Sequence, residues 1–226
     1  YVNQILSRDA KLKALESQIN PHFLYNTLET INWRAKALKD QQISSMVESL
    51  GTLLRATLSN KKPLVSLDYE IGLAGSYMTI QKIRFEDRLL FHVECPEELG
   101  KALILPLTIQ PLLENAIYHG MAAEDDDGRI AVRVWREGDD VYIDVTDNGL
   151  GMLPEVAASL LDESRPLPAK GSGIGVRNVH RRIQLAYGPR YGLEFYSEPD
   201  EGTTARIHLP VLTQLEETGG KKEGMA

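Results

Sequence analysis

Leu107-Thr108-Ile109-Gln110-Pro111-Leu112-Leu113-Glu114-Asn115-Ala116-Ile117-Tyr118-His119-Gly120 reads as an apolar helix with one carboxamide set into it. The helix is expected over 104–121. Asn115 needs a reason to be there, because a polar amide on an apolar helix costs free energy unless it finds a partner. Three glycine-bearing stretches follow in order: Asp147-Asn148-Gly149-Leu150-Gly151, Gly171-Ser172-Gly173-Ile174-Gly175 and Gly202-Thr203-Thr204. Around them, strands are expected at 89–93, 130–135, 141–145, 193–196 and 204–209, with a hairpin turn at Glu137-Gly138-Asp139-Asp140. A further helix is expected over 174–187. Strands grouped in hairpins at both ends, rather than strictly alternating with helices, predict an α+β two-layer sandwich and not a parallel fold.

Upstream the texture differs. Residues 2–61 are rich in helix formers, with Pro21 and Gly51 as the interior breakers, and read as two helices. Leu12, Leu15, Ile19, His22 and Asn26 form one stripe at three-four spacing; Leu24, Leu28, Ile31, Ala35 and Leu38 form a second on another side. A helix apolar on two sides needs partners on both, and a four-helix bundle built from two copies supplies them. Pro21 is expected to kink the first helix just before His22. Ser66-Leu67-Asp68-Tyr69-Glu70 opens a third helix, expected as a connector between the halves. The boundaries expected are 1–65 for the helical hairpin domain, 66–88 for the connector, 89–212 for the sandwich and 213–226 for a frayed tail.

Composition sets bounds. The 226 residues, 42% of them hydrophobic, suffice for one sizeable core or two modest ones. A formal charge of -7 gives no general attraction to nucleic acid or anionic membrane. The single cysteine, Cys95, rules out an internal disulfide framework and fits a reducing compartment. No apolar run approaches the ~18 residues of a membrane span. The chain opens at Tyr1 rather than Met, which suggests a fragment of something longer.

The motifs have plain structural readings as well as chemical ones. The Asn115 oxygen could ligate Mg²⁺, a hard ion that bridges phosphate oxygens, or cap a neighbouring loop. The Asp147 carboxylate could accept the exocyclic amine of adenine, with Gly149 and Gly151 allowing close backbone approach, or begin an ordinary Asp-Asn-Gly turn. Gly171, Gly173 and Gly175 lead into a helix whose N-terminus could cradle phosphates. Neither a Rossmann loop nor a P-loop fits, because the third glycine falls one position early and no Gly-Lys-Ser/Thr follows. The stretch 152–170, with Pro154, Pro166 and Pro168, reads as a loop able to cover a ligand. Among the five histidines, His92 and His208 read as structural, His119 and His180 as flanking the glycine motifs, and His22 as a neutral imidazole able to act as a nucleophile.

Taken together, these stretches resemble the sensor histidine kinases of the LytS/YesM kind, which share an ATP-binding fold with gyrase, Hsp90 and MutL. Gln18-Ile19-Asn20-Pro21-His22-Phe23-Leu24-Tyr25-Asn26-Thr27-Leu28 resembles the phosphoacceptor box, 110–120 the N box, and the Asp147 and Gly171 motifs the glycine boxes. The resemblance covers 12–210. It implies that His22 is phosphorylated, that Asn115 binds Mg²⁺, that Asp147 binds adenine, and that His119, Gly149, Gly151, Gly171, Gly173, Gly175 and Thr203 line the ATP site. It also implies that Asn26 positions water for phosphatase action on a partner. The cofactors implied are ATP and Mg²⁺, and the partners are a second copy of the chain and a response-regulator receiver domain. The location implied is the cytoplasmic core of a membrane sensor, anchored through segments absent from this chain. Phe23 stands where many related kinases carry an acid after the histidine, and Tyr118 where many carry a phosphate-binding lysine. Two other activities fit the same ATP-binding fold: a conformational ATPase, and a nucleotide-binding signalling dimer without transfer. The first is disfavoured by Pro111, which stands where gyrase-like ATPases carry the water-activating glutamate.

Overall fold

The computed structural model describes residues 20–59, 62–120, 127–162 and 173–212. Two compact units divide the chain, Tyr1–Asn60 and Lys61–Ala226.

In the first unit, helices α1 (Pro21–Ala37) and α2 (Gln41–Leu58) form a hairpin. Asn20 has extended backbone and its side chain accepts from the Phe23 N–H at 3.2 Å, so it is the N-cap of α1 and Pro21 opens the first turn. The expected kink is therefore a helix start, because a residue preceding proline is driven out of the α region. The stripe from Leu12 is interrupted at Asn20, and its part before residue 20 lies outside the described residues. Asp40 caps α2 by accepting from the Ile43 N–H at 3.0 Å. A polar clasp joins the helices: Asn32 donates to Glu48 at 3.1 Å and accepts from the buried Ser44 hydroxyl at 2.7 Å. Lys36 reaches Glu48 at 2.8 Å, and hydrogen bonds from Lys36 and then Asn32 hold the Glu48 carboxyl below its ordinary range. Few apolar side chains are buried here. Ala35, Leu53 and Ala56 are, whereas Phe23, Ile31, Trp33, Leu38, Ile43 and Leu50 are exposed.

The second unit is a five-stranded sheet covered on one face by helices. Its strands are β2 (Leu89–Glu94), β4 (Gly128–Glu137), β5 (Asp140–Asp147), β6 (Gly192–Glu198) and β7 (Gly202–Pro210), in the spatial order β2-β4-β5-β7-β6. Only β2 and β4 run parallel. The β4–β5 turn is Gly138-Asp139, with Gly138 at φ +58° as the first central residue, as a two-residue hairpin favours. Alternation sorts the sheet: Val141, Ile143 and Val145 on β5 and Ala205, Ile207 and Leu209 on β7 point into the core, while Tyr142, Asp144, Thr204 and Arg206 do not. Helices α3 (Leu67–Phe85), α4 (Gln110–Gly120) and α6 (Gly173–Tyr187) supply the other half of that core.

Three expectations need correction. Helix α3, expected as a connector, is more than that: Leu67, Ala74 and Met78 are buried in the core of the second unit. Helix α4 starts at Gln110 and not at 104, because Leu103–Ile104 pairs as β3 with β1 (Val65–Ser66), and Leu107 turns the chain at φ +55°. The expected loop 152–170 contains helix α5 (Pro154–Ser159), with proline in its first turn.

Candidate functional site

Helix α4 owes its start to a distant residue. Glu70, on α3 and 1% exposed, accepts from the backbone N–H groups of Leu107, Thr108 and Ile109 at 2.7, 2.9 and 3.2 Å. Those groups precede the helix and have no helical acceptors, so one buried carboxylate satisfies three donors. Burial raises the Glu70 pKa, with the three N–H groups opposing the shift. Further along α4, Gly175 of α6 comes against Pro111, where an added Cβ would lie 3.5 Å from the proline ring. Asn115 is four residues beyond Pro111 and shares its face. That face of α4 therefore meets the N-terminal turn of α6, where Gly173 and Gly175 present backbone amides. Glu114 lies off this line, exposed and accepting from Gln110 at 2.9 Å.

Asp147 ends β5 and lies 5% exposed beside Thr203 of β7, its partner in the register. Its carboxylate accepts from the Gly149 N–H at 2.9 Å and from the Thr203 backbone. Burial nevertheless pushes its pKa up to about 6, against those two hydrogen bonds. Asn148 turns the other way and joins β4, accepting from Arg129 N–H at 2.6 Å and donating to the Asp127 carbonyl at 3.0 Å. Asp147 and Thr203 also line a cleft of about 480 Å³, bounded by Pro154, Ala157 and Ala158 of α5.

Gly151 and Gly202 serve the protein's own backbone. A Cβ on Gly151, at φ +61°, would sit 1.9 Å from the Glu198 carbonyl oxygen, and one on Gly202, at φ +92°, would sit 2.1 Å from that of Asp147. The loop after β5 is thus clamped on the β6–β7 turn, with Asp200 N–H donating to the Leu150 carbonyl at 2.8 Å and Met152 N–H to Ser197 Oγ at 2.9 Å. Gly151 is fixed by this clamp, which sequence reasoning did not foresee. Arg177 ties α6 to the end of α5 by donating to the Leu160 carbonyl at 2.6 Å.

The histidines separate by environment. His119 is half-buried at the end of α4, edge-on to Tyr118 at 5.1 Å, and burial lowers its pKa. His180 accepts from the Leu193 N–H at 2.9 Å and fixes the start of β6. His92 reaches Glu94 at 3.2 Å, and His208 stacks on Tyr142 at 4.6 Å while pairing with Asp140 at 3.1 Å. His22, in the first unit, is exposed in the first turn of α1 with Nδ1 3.3 Å from Asn26 Nδ2. Asn115, His119, Asp147, Gly149, Gly151, Gly173, Gly175 and Thr203 all belong to the second unit. Gly171 lies outside the described residues.

Among the described residues no three His, Cys, Asp or Glu side chains converge as a metal site, and no helix is long and apolar enough to cross a membrane. Asn115 supplies a neutral, hard oxygen on the face described above, the donor type that Mg²⁺ accepts while keeping most of its waters or phosphate oxygens. Asn115 fits the ion as one such oxygen donor.

Residues 10–89 match a family model described as histidine kinase, and residues 100–213 one described as histidine kinase-, DNA gyrase B-, and HSP90-like ATPase. The chain is 44% identical over 212 residues to the sensor histidine kinase YesM of Bacillus subtilis, covering 94% of this chain and 35% of that protein. It is 34% identical over 202 residues to the sensor histidine kinase BtsS of Escherichia coli, covering 89% and 33%. It thus spans about a third of the length of these curated relatives. The catalytic domain of histidine kinase ThkA, solved free of nucleotide, superposes with a TM-score of 0.51 at 15% identity, covering 66% of this chain and 94% of that domain, and supports the fold alone. With an ATP-binding sandwich carrying the Asp147 and α4 motifs and a helical hairpin carrying His22, the chain belongs to the histidine kinase-, DNA gyrase B- and HSP90-like ATPase family, among the sensor histidine kinases of the YesM kind.

Proposed function

We propose that this chain is the kinase core of a two-component sensor, transferring the γ-phosphoryl group of Mg-ATP to His22. The observation that carries the reading is that one unit holds a buried carboxylate, Asp147, and the other an exposed imidazole, His22. Asp147 accepts the adenine amine, Thr203 and His119 flank the base, and the amides of Gly171, Gly173 and Gly175 receive the phosphates. Asn115 holds Mg²⁺, which when bound neutralises phosphate charge. The His22 imidazole attacks γ-phosphorus as the bond to the bridging oxygen breaks, and ADP departs with that electron pair. Such transfers depend on positioning and charge stabilisation more than on covalent help from the protein. The phosphohistidine formed lies in the first turn of α1, where the positive end of the helix dipole favours added negative charge.

The phosphoryl group then passes to an aspartate of a response-regulator receiver domain, and Asn26 positions water for its later removal. A second copy of the chain covers the apolar side chains that the hairpin leaves exposed, giving a four-helix bundle. In the longer protein this core lies on the cytoplasmic side of a membrane sensor.

The test is incubation with γ-labelled Mg-ATP followed by acid and alkali treatment. The expected result is an acid-labile, alkali-stable label on the wild type and none on His22→Gln. Label retained by the variant contradicts the assignment; release of free phosphate with no labelled protein favours an ATPase.

A further inference from the structure

Phe23 leaves His22 without an adjacent acid to hold its ring proton. Among the described residues, the side chain within hydrogen-bonding distance of the ring is Asn26, one turn along α1, with Nδ2 at 3.3 Å from Nδ1. An amide nitrogen donates and does not accept. In this arrangement Nδ1 is the acceptor, a neutral ring carries its proton on Nε2, and the outward nitrogen has no lone pair to offer. Rotating the Asn26 amide by half a turn places Oδ1 where Nδ2 stands. Oδ1 then accepts Nδ1–H, and the lone pair moves to Nε2, the nitrogen directed away from Asn26.

We propose that Asn26 is a positioning residue for autophosphorylation, selecting by the orientation of its amide which ring nitrogen of His22 is nucleophilic. The amide nitrogen facing Nδ1 is the resting arrangement, and the amide oxygen facing it is the attacking one. This rests on the kinase reading above. In the attacking arrangement the Nε2 lone pair forms the N–P bond, the P–O bond to ADP breaks, and the positive charge left on the ring is relieved when the Nδ1 proton, held by Asn26 Oδ1, passes to water. A partner that imposes the wrong tautomer on a catalytic histidine slows a reaction by up to ~10⁴, so this choice has kinetic weight. Nothing larger than an amide rotation is needed, because the two residues already share one face of one helix.

The test combines a spectrum with a rate, on Asn26→Asp and Asn26→Ala in the full chain. Asp offers only acceptors, whereas Ala offers nothing. Long-range ¹H–¹⁵N spectra of ¹⁵N-histidine protein at about pH 9, where an ordinary imidazole is neutral, report the tautomer without reference to activity. The expected results are Nε2–H for His22 in the wild type and Nδ1–H in Asn26→Asp. Initial labelling from γ-labelled Mg-ATP is expected to be at least as fast in Asn26→Asp as in wild type, and at least tenfold slower in Asn26→Ala. An unchanged tautomer across the three proteins, or Asn26→Asp labelled as slowly as Asn26→Ala, overturns the proposal. If His22 is never labelled in wild type, the kinase reading falls, and the spectra alone then decide whether Asn26 sets the tautomer.

Discussion

The two units bury their apolar residues to different degrees. The sandwich encloses Leu113, Ile143, Ile183 and Ile207 with 0% exposure, and its sheet and helices close one core. The hairpin has the same helix formers yet leaves Trp33 78% and Leu38 80% exposed. Hydrophobic burial is the dominant favourable contribution to folding, so the sandwich holds itself together and the hairpin depends on what covers it. The comparison suggests a division of labour: a rigid unit that holds nucleotide, and a unit whose stability is tied to association.

The largest effect expected is on the sandwich core. Ile207→Ala should destabilise the second unit by about 2–5 kcal/mol, the usual range for a buried isoleucine. Urea unfolding followed by the near-ultraviolet signal measures it, and a loss below ~1 kcal/mol would show that the core is less tightly closed than its burial implies. Next comes the hairpin. Its melting should shift upward with protein concentration while that of the sandwich does not, and Trp33→Glu should weaken the concentration dependence. A hairpin transition independent of concentration would break the contrast.

A third prediction concerns pH. With the Asp147 carboxyl pushed up to about 6, affinity for adenosine, which carries no phosphate titrating in that range, should rise as pH increases through about 6 and level off above it. Folding stability moves the opposite way. An acid whose folded pKa exceeds its unfolded value of ~3.9 favours the folded state at low pH, and that contribution fades as pH climbs from about 4 to about 6. Asp147→Asn should remove the pH dependence and weaken adenosine binding about tenfold, ~1.4 kcal/mol. Calorimetric titration at pH 5, 6 and 7 reads both effects, and a flat wild-type profile contradicts the buried, ionisable acceptor.

The smallest effect compares like with like. Asp40→Ala in the hairpin and Ser66→Ala in the sandwich each remove a side-chain N-cap, expected to cost ~1 kcal/mol. Helicity at 222 nm should fall measurably in dilute solution for the first and scarcely at all for the second, whose core holds α3 in place. Equal losses would mean that the two units are equally marginal.

What could be read in the sequence was whatever short-range pattern records. The strand alternation, the Gly138-Asp139 hairpin and the α4 and α6 helices all follow from residues a few positions apart. The features missed are long-range. Glu70 caps a turn 37 to 39 residues away, and nothing in Ser66-Leu67-Asp68-Tyr69-Glu70 announces that acceptor. Without it, 104–109 looked like the first turns of α4. His180 was grouped with the glycine motifs by proximity in sequence, whereas the fold aims it at Leu193. A glycine pattern shows only that a Cβ is unwelcome at Gly151; in the fold the obstacle is the Glu198 carbonyl. Asn20-Pro21 held a helix start that read as a kink, because the periodicity of the flanking residues masked the break.

In the proposed reaction one unit binds nucleotide and the other receives phosphate. The most direct measurement is nucleotide affinity and protein labelling side by side for wild type, His22→Gln and Asp147→Asn with γ-labelled Mg-ATP. The predicted result is undiminished binding without label for His22→Gln, and weakened binding with correspondingly weak label for Asp147→Asn. Labelling of His22→Gln at the wild-type rate would contradict it.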